Sequence, residues 1–273
     1  NSGNPASGYA GNNGTWNVSN TGVNDNYANQ WYVSATEAGV GVGNCGDGCG
    51  NTPTLTNRTL HLGAAAGLIG DQGASYNAGG LCFGGICVKT DKRAESPVIN
   101  CTGKSNITLS FSYLQEGAAG SDFASLCYFD GTSWFNFNGT SWVTGNIALP
   151  ATANGTCGGQ GLWTAYTVSL PSSANNNAAV KIGFRWVNND DGVGTDPSFA
   201  VDDVRLSGTA AASCSVSASI TQPLLCHNDC NGVITANATG TAPIVYWWDS
   251  NSGTSQNNLS GLCAGTHTLF IKI

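Results

Sequence analysis

The chain has 273 residues, of which 41% are hydrophobic and only 9% are charged, and its formal net charge is -7. The apolar residues suffice for a core, but the charged fraction is far below the usual quarter of a soluble protein. No basic stripe is present to neutralise phosphates, which excludes nucleic acid as an expected partner. The surface must therefore be covered by Asn, Ser, Thr and Gly, as is typical of extracellular β-proteins.

The cysteines indicate an oxidising compartment. The chain contains 11 cysteines and 3 histidines, and their spacing does not form two matched zinc knuckles. Cysteines in this number are typical of secreted proteins with disulfide bonds. Because the count is odd, one cysteine is free or pairs outside this chain. We therefore expect a secreted, extracellular or cell-surface protein.

The two ends of the sequence suggest a processed and incomplete chain. It opens with Asn1-Ser2-Gly3, without a basic or apolar leader, and closes on the strand-like segment Thr268–Ile273. We therefore expect a removed leader and a continuation beyond Ile273. No segment approaches the length of a membrane span, so direct membrane insertion is not expected.

Short segments rich in β-branched and aromatic residues alternate with turns of Gly, Asn, Ser and Thr. Residues 107–113 and 180–186 alternate between apolar and polar side chains, as half-buried antiparallel strands do. The predicted strands of the first region are Ile107–Leu114, Ser125–Phe129, Trp163–Leu170, Val180–Val187 and Phe199–Leu206. No sustained helical period competes with them. The pattern predicts an all-β fold, a jelly-roll-like antiparallel β-sandwich.

A stretch of small residues at 208–213 has the composition of a linker. We therefore predict a first domain over 1–207 and a second over 214–273. The predicted strands of the second domain are Gly232–Ala238, Ile244–Asp249 and Thr266–Ile273. Their size and spacing predict a small immunoglobulin-like β-sandwich repeat.

Acidic and amide side chains crowd the loop Asn188–Asp196, and two further acids follow it. Oxygen ligands of this kind suit calcium, which takes about six to eight oxygens in flexible geometry. The candidate ligands are Asp190, Asp191, Asp196, Asp202, Asp203 and Asp47. Their spacing does not match an EF-hand. We predict a structural calcium ion, and the alternative is a turn whose Asp and Asn side chains bond to local backbone.

Aromatic residues are dense between Tyr128 and Trp142, where the pattern Gly-Thr-Ser-Trp occurs twice. Aromatic rings stack on sugar faces with little loss of side-chain entropy. Alternate rings of a strand also fill the core of a sandwich. Trp134 and Trp142 lie beside turns and are the candidate ligand-binding residues. The expected partners are a glycan or another surface protein, the latter including further copies of this chain.

No catalytic constellation is evident. The Gly-x-Ser-x-Gly pattern is absent, and His61 lies in an apparent strand, where we expect a surface or hydrogen-bonded histidine. Glu37, Glu95 and Glu116 are the only glutamates. Of these, Glu116 could line a cleft, but a solvated turn residue is the preferred interpretation. We therefore predict that the chain is not an enzyme.

Cysteine pairing cannot be deduced from spacing alone. In the first domain, the close pairs Cys45/Cys49 and Cys82/Cys87 would each close a loop. Two more cysteines lie beside candidate strands and could cross-link them: Cys127 and Cys157.

The second domain carries a recognisable order of residues. The segment Cys226–Gly232 leads into a strand, Pro243–Trp248 forms the next, and Leu259–Leu269 precedes the last. This order resembles the SprB-type repeat of Bacteroidota surface proteins. It departs at Ile244 and His267, where that family usually has Tyr. The resemblance implies a unit that occurs in tandem on gliding adhesins and other secreted proteins.

In this repeat we expect Cys230 to pair with Cys263. Cys226 would then need a partner beyond Ile273.

A second resemblance covers residues 29–206. The segment Ala94–Asn100 precedes the strand Leu109–Tyr113, Asp130–Trp134 follows, and Phe199–Val204 closes the region. This order is similar to MAM-like and cleaved-adhesin jelly rolls, which bind proteins or glycans and often hold calcium. We predict a non-catalytic segment that acts in adhesion or extracellular architecture. The alternatives are a glycan-binding module attached to a secreted hydrolase and a subunit of an extracellular filament.

Overall fold

In the computed structural model the described residues are 4–5, 9–11, 13–37, 41–46, 57–82, 85–153, 157–210, 214–226, 229–240, 243–249 and 255–272. The chain divides into two compact units, Asn1–Ala210 and Ala211–Ile273. Asp47, Cys49 and His227, which the sequence analysis considered, lie outside the described residues.

The described part of the first unit consists of antiparallel strands of two to 16 residues and a 3₁₀ turn at Ser172–Ala174. In chain order the strands are β1 (Asn4–Pro5), β2 (Ala10–Gly11), β3 (Gly14–Thr15), β4 (Asn17–Asn20), β5 (Gln30–Ser34), β6 (Thr59–Gly63), β7 (Thr90–Glu95), β8 (Lys104–Gly117), β9 (Phe123–Phe129), β10 (Trp134–Phe137), β11 (Trp142–Val143), β12 (Thr164–Ser169), β13 (Lys181–Asn188) and β14 (Thr195–Ala210). Within the described ranges they form two six-stranded sheets and the small hairpin β2-β3. The first sheet has the order β1-β5-β6-β14-β8-β12, and the second has the order β11-β10-β9-β13-β7-β4.

The two sheets share one hydrophobic core. Phe184 of β13 contacts Phe111 of β8 and Phe199 of β14, with ring centroids 5.3 Å apart in both pairs. Trp31 of β5 packs edge-on against Phe199, and Trp186 is fully buried. Each apolar side chain of this size contributes about 1.5–3 kcal/mol when it leaves water. The all-β antiparallel sandwich predicted from the alternating strands is confirmed.

The predicted linker over 208–213 begins as strand. Thr209 and Ala210 pair with Ser105 and Lys104 of β8, so β14 continues to Ala210. A Cβ atom at Gly208 would lie 2.6 Å from Cδ1 of Ile107. A small residue here thus permits close strand packing as well as a flexible connection. The division between the two units, after Ala210, falls inside the predicted linker.

The second unit holds two small sheets. Its strands are β15 (Ser215–Gln222), β16 (Gly232–Thr239), β17 (Val245–Trp248), β18 (Asn258–Leu262) and β19 (Leu269–Lys272). They pair as β15-β16-β18 and β17-β19. The buried apolar residues among those described in this unit are Ala236, Trp248 and Leu262.

Three disulfide bonds join described cysteines. Cys82–Cys87 and Cys230–Cys263 are bonded as the sequence analysis expected. The predicted Cys45–Cys49 pair is wrong, because Cys45 bonds to Cys157. The backbone explains this pairing: Cys45 forms a bridge with Leu162, which places its side chain beside the turn that carries Cys157.

The predicted cross-link at Cys127 is also wrong. Its thiol is buried in the second sheet and lies 2.9 Å from Oδ1 of Asn136. Burial raises the pKa of Cys127 to about 12, so the reactive thiolate is scarce. The other free cysteines described are buried Cys101 and exposed Cys214 and Cys226.

Candidate functional site

The predicted calcium loop lies between β13 and β14. The Asp190 carboxylate accepts the Gly80 N–H at 3.1 Å, and the Asp191 carboxylate accepts the Val193 N–H at 2.7 Å. Asp196 accepts the Tyr76 N–H at 3.1 Å and the Ser75 hydroxyl at 2.8 Å. These contacts are the turn interactions named as the alternative to calcium, since backbone donors already use the carboxylate oxygens.

Strand β14 carries the two remaining described acids away from this loop. Asp202 accepts the N–H of Asp203 at 2.8 Å, and its distance from Asp196 along a strand is about 20 Å. In the described part of the chain, one group of acidic, Cys or His side chains is close enough to share an ion. It consists of Asp190, Cys82 and Cys87, and the two cysteines are bonded to each other. The predicted ligand set is thus not brought together, and calcium binding stays a prediction.

Asp122 organises the same end of the sandwich, although the sequence analysis did not single it out. Its fully buried carboxylate accepts the Tyr76 hydroxyl at 2.8 Å, the Asn188 amide at 3.1 Å and the Asn189 N–H at 3.2 Å. Burial raises the pKa of Asp122. Burial and the neighbouring Asp122 also raise the pKa of Tyr76. These hydrogen bonds connect the segments around Tyr76, Asp122 and Asn188, so the role of Asp122 is structural.

His61 is fully buried on β6 and hydrogen-bonded on both ring nitrogens. Its Nε2 lies 2.8 Å from Oδ1 of Asp71, and its Nδ1 lies 3.0 Å from Oγ1 of Thr59. The Ser34 hydroxyl donates to Oδ2 of Asp71 at 2.7 Å. The serine therefore faces the acid rather than the imidazole, unlike a nucleophile–base pair. This network attaches the segment around Asp71 to β5 and β6.

Asp71 is held ionised by that network. Burial raises the pKa of the Asp71 carboxyl, but the hydrogen bonds from His61 and Ser34 outweigh it and hold the pKa below its ordinary value. A buried carboxylate is stable only when its oxygens are bonded in this way.

The two predicted ligand-binding tryptophans have protein partners. The guanidinium carbon of Arg93 lies 3.7 Å from the centroid of the Trp134 ring, and the Phe129 ring lies 5.2 Å away. Trp142 packs on Tyr128 and Phe137 and donates its indole N–H to a backbone carbonyl at 3.0 Å. Neither ring is fully exposed, and sugar binding by these rings stays a prediction.

The face that carries Trp134 is an ion-paired surface. Arg93 and Lys181 both contact Glu95, and Arg185 contacts Asp91 at 2.7 Å. Arg93 reaches Trp134 across Gly183, where an added Cβ would lie 2.8 Å from Cδ of the arginine. Each basic side chain on this face is thus paired with an acid, and Arg93 also packs on the aromatic ring.

A different feature offers open space. A cleft of about 550 Å³ opens where the two sheets separate at one end of the sandwich. Its lining residues are Asn13, Gly14, Trp16, Ser96, Pro97, Val98, Ile99, Asn100, Leu109, Ile182, Val204 and Leu206. None of these carries a charge. The volume lies within the range of small-molecule sites in proteins.

Each part of the cleft comes from a different element. Buried Leu109 of β8 and Ile182 of β13 form an apolar floor. Half-buried Trp16 supplies an aromatic wall, and exposed Asn13 and Asn100 supply amide groups at the rim.

Sequence reasoning missed Trp16. It lies between strands of two to four residues, where no alternation marks a face. Its position at the mouth of the core becomes visible only when β4 pairs with β7 at the sheet edge.

The fold and the cleft define a class: a disulfide-bonded, all-β chain of two units, whose described residues include an uncharged cleft of ligand size. No family model matches the chain, and no curated protein matches it either. Among the described residues, no helix is long and apolar enough to cross a membrane.

Several solved structures are similar to this chain. The K1 cleaved adhesin domain of Lys-gingipain from Porphyromonas gingivalis has 15% identity and a TM-score of 0.36, over 71% of this chain and 90% of that one. The K3 domain has 17% identity and a TM-score of 0.36, over 70% and 90%. The glycoside hydrolase domain of Endo-D from Streptococcus pneumoniae has 14% identity and a TM-score of 0.34, over 93% of this chain and 37% of that one. Similarity at this level does not define a function.

Proposed function

We propose that this chain is a non-catalytic extracellular adhesion module that binds an uncharged ligand in the Trp16 cleft. The lining of the cleft carries this proposal. It combines an apolar floor, one aromatic wall and amide groups at the rim, with no charged side chain. Sites of this construction bind ligands by apolar contact and use a few polar groups to fix orientation.

A neutral sugar fits this lining best. The face of a sugar ring is apolar and stacks on an aromatic side chain, while its hydroxyls bond to amides. Asn13 provides both donors and an acceptor at the rim, and Asn100 provides N–H donors, because its side-chain oxygen already accepts the Thr102 N–H at 2.9 Å. An ionised ligand would lose its hydration without gaining a counter-charge, which is costly. The ligand we propose is therefore a neutral glycan.

The lining of the cleft is also unsuited to glycoside hydrolysis. Glycoside hydrolysis normally requires two carboxyl groups that flank the bond, and the cleft contains none. The buried His61 is bonded to Thr59 and Asp71 and has no solvent exposure. The alternative, a glycan-binding module attached to a secreted hydrolase, would use the same cleft and would take its catalysis from elsewhere.

The second unit extends the proposal to cell-surface architecture. Its resemblance to the SprB-type repeat, together with the Cys230–Cys263 bond, supports a unit built for tandem use. The three disulfide bonds support an oxidising, extracellular location. In this proposal the first unit binds the ligand and the second unit belongs to the surface-exposed assembly.

Affinity electrophoresis tests the ligand proposal. The full chain is run in gels that contain a neutral β-glucan, a mannan or a galactan. We expect at least one polysaccharide to retard the chain, Trp16→Ala to abolish the retardation and Trp16→Phe to preserve most of it. Trp134→Ala is the matched control and should leave retardation unchanged, because Arg93 already covers that ring.

Two outcomes would overturn the proposal. If none of the polysaccharides retards the parent chain, the glycan proposal fails. If Trp134→Ala abolishes binding and Trp16→Ala does not, the site is the aromatic surface expected from sequence and not the cleft.

A further inference from the structure

Strand β15 has an unusual edge. It pairs with β16 on one side, and in the described part of the chain no strand pairs with its other side. All eight residues of Ser215–Gln222 are exposed. An unpaired edge presents a row of N–H and C=O groups that can add another strand.

The usual protections of such an edge are missing from most of β15. Proteins commonly block free edges with charged side chains, proline, short strands or bulges. The sequence Ser215–Gln222 contains no charged residue and no proline. A register shift occurs between Ile220 and Gln222, which leaves the segment from Ser215 to Ile220 regular. At about 3.3 Å per residue, this segment spans about 20 Å.

The same strand has an uncovered apolar face. Val216, Ala218 and Ile220 alternate with serines, so they share one face. Val216 is 58% exposed and Ile220 is 68% exposed. Beside Ile220 the face continues into a cavity of about 280 Å³, whose lining includes Leu224, Ile234 and Leu262.

We propose that β15 is a self-pairing edge, at which two copies of this chain join their three-stranded sheets antiparallel around Ala218. A two-fold axis perpendicular to the sheet places Val216 of one copy opposite Ile220 of the other and keeps both apolar faces on the same side. Ser217 then faces Ser219. No like charges meet, and the apolar pairs gain cross-strand contact.

The second copy is favoured as occupant because the strand is complementary to itself. An acidic or basic partner strand would find no opposite charge on β15. The contact area of one strand edge is small, so the dimer should be weak, with a dissociation constant in about the micromolar range or above. This interface is in the second unit and does not depend on the proposed cleft function.

Sedimentation velocity of the full chain tests the proposal, in a Cys214→Ser, Cys226→Ser background that removes the exposed thiols of the described residues. We expect reversible dimers over about 1 μM to 1 mM, which covers weak interfaces. Ser217→Lys with Ser219→Lys should weaken dimerisation by about tenfold or more, because each lysine meets a lysine of the partner. The matched control, Asn258→Lys with Ser260→Lys on the opposite edge strand β18, should not.

Disulfide trapping defines the register. In the same background, Ala218→Cys should form covalent dimers under mild oxidation, and Asn258→Cys on β18 should form few. Three results would overturn the proposal: a monomer at every concentration, equal trapping at both positions, or dimers that persist when Ser217 and Ser219 are lysine. Capture of a different protein on β15 without self-association would also contradict it.

Discussion

The two units reach a β-sheet structure with very different cores. The twelve largest fully buried side chains of the described residues, among them Trp31, Trp163 and Trp186, all lie in the first unit. The second unit has only Ala236, Trp248 and Leu262 buried among its described apolar residues, and it leaves Val216 and Ile220 exposed. Surface-to-volume scaling explains the difference, because a unit of about 60 residues buries a smaller share of its chain.

The two units obtain their stability from different sources. The first unit can rely on interdigitated aromatic rings from two six-stranded sheets. The second unit must rely on backbone pairing and on the Cys230–Cys263 bond. Small domains with too little core commonly need such a covalent link.

Loss of the Cys230–Cys263 bond should reduce stability more than any of the other changes below. Cys230→Ser with Cys263→Ser opens a loop of sequence separation 33, which should remove about 3–4 kcal/mol in the chain-entropy model. A small core supplies only about 3–5 kcal/mol, so the second unit should unfold while the first stays folded. Hydrogen exchange measured by mass spectrometry resolves the two units.

The control is Cys82→Ser with Cys87→Ser in the first unit, whose separation is 5. Both units should remain protected from exchange in this variant. If β15–β19 stay fully protected from hydrogen exchange in the Cys230→Ser, Cys263→Ser variant, the core of the second unit is stable without the disulfide bond and the expected difference between the units is wrong.

A middle-sized effect should come from the polar network of the first unit. Asp71→Ala leaves His61 and Ser34 without their shared acceptor, which should cost about 1–3 kcal/mol. Urea denaturation of the full chain, monitored for the first unit by exchange, measures this loss. An unchanged unfolding midpoint would contradict the role assigned to the network.

The same residue gives the network a pH dependence. Because the folded-state pKa of Asp71 lies below the unfolded value, its contribution is present above about pH 3.9 and is lost as pH falls through the folded pKa. When the pH is lowered below about 4, the free energy of unfolding of Asp71→Asn should therefore fall less than that of the parent chain. Parallel pH profiles for the two proteins would exclude this coupling.

The smallest expected effect concerns calcium. If the loop between β13 and β14 binds the ion, the first unit should melt at a higher temperature in calcium than in chelator, and the second unit should not respond. Because backbone N–H groups already bond to Asp190 and Asp191, we expect about 1 kcal/mol, or about 2–4 °C. Asp190→Asn with Asp191→Asn should abolish the shift, and identical melting in both buffers would end the calcium prediction.

Much of the fold followed from local patterns. Alternation in the segments around Phe111 and Phe184 predicted strands whose apolar faces do meet in the core. At the end of the first unit, Gly208 indicated a linker, but β14 continues to Ala210 before the two units divide. Small residues serve both purposes, and local composition does not distinguish them.

The site was harder to predict than the fold. Trp134 and Trp142 attracted attention through their repeated Gly-Thr-Ser-Trp pattern, but Arg93 covers one ring and Tyr128 packs on the other. Trp16 carries no local pattern and lies at the cleft only because distant strands pair around it. The Cys45–Cys157 bond was likewise invisible, since its partners are 112 residues apart.

The strand class, the low-charge surface and the dependence on disulfides follow from the amino-acid sequence alone, because side-chain alternation, composition and cysteine count act locally or as totals. Which rings are covered, which acids meet backbone donors and which cysteines bond depends on the tertiary fold. Those outcomes depend on which distant segments become neighbours, and the relevant free energies arise only when the sheets pack and water leaves.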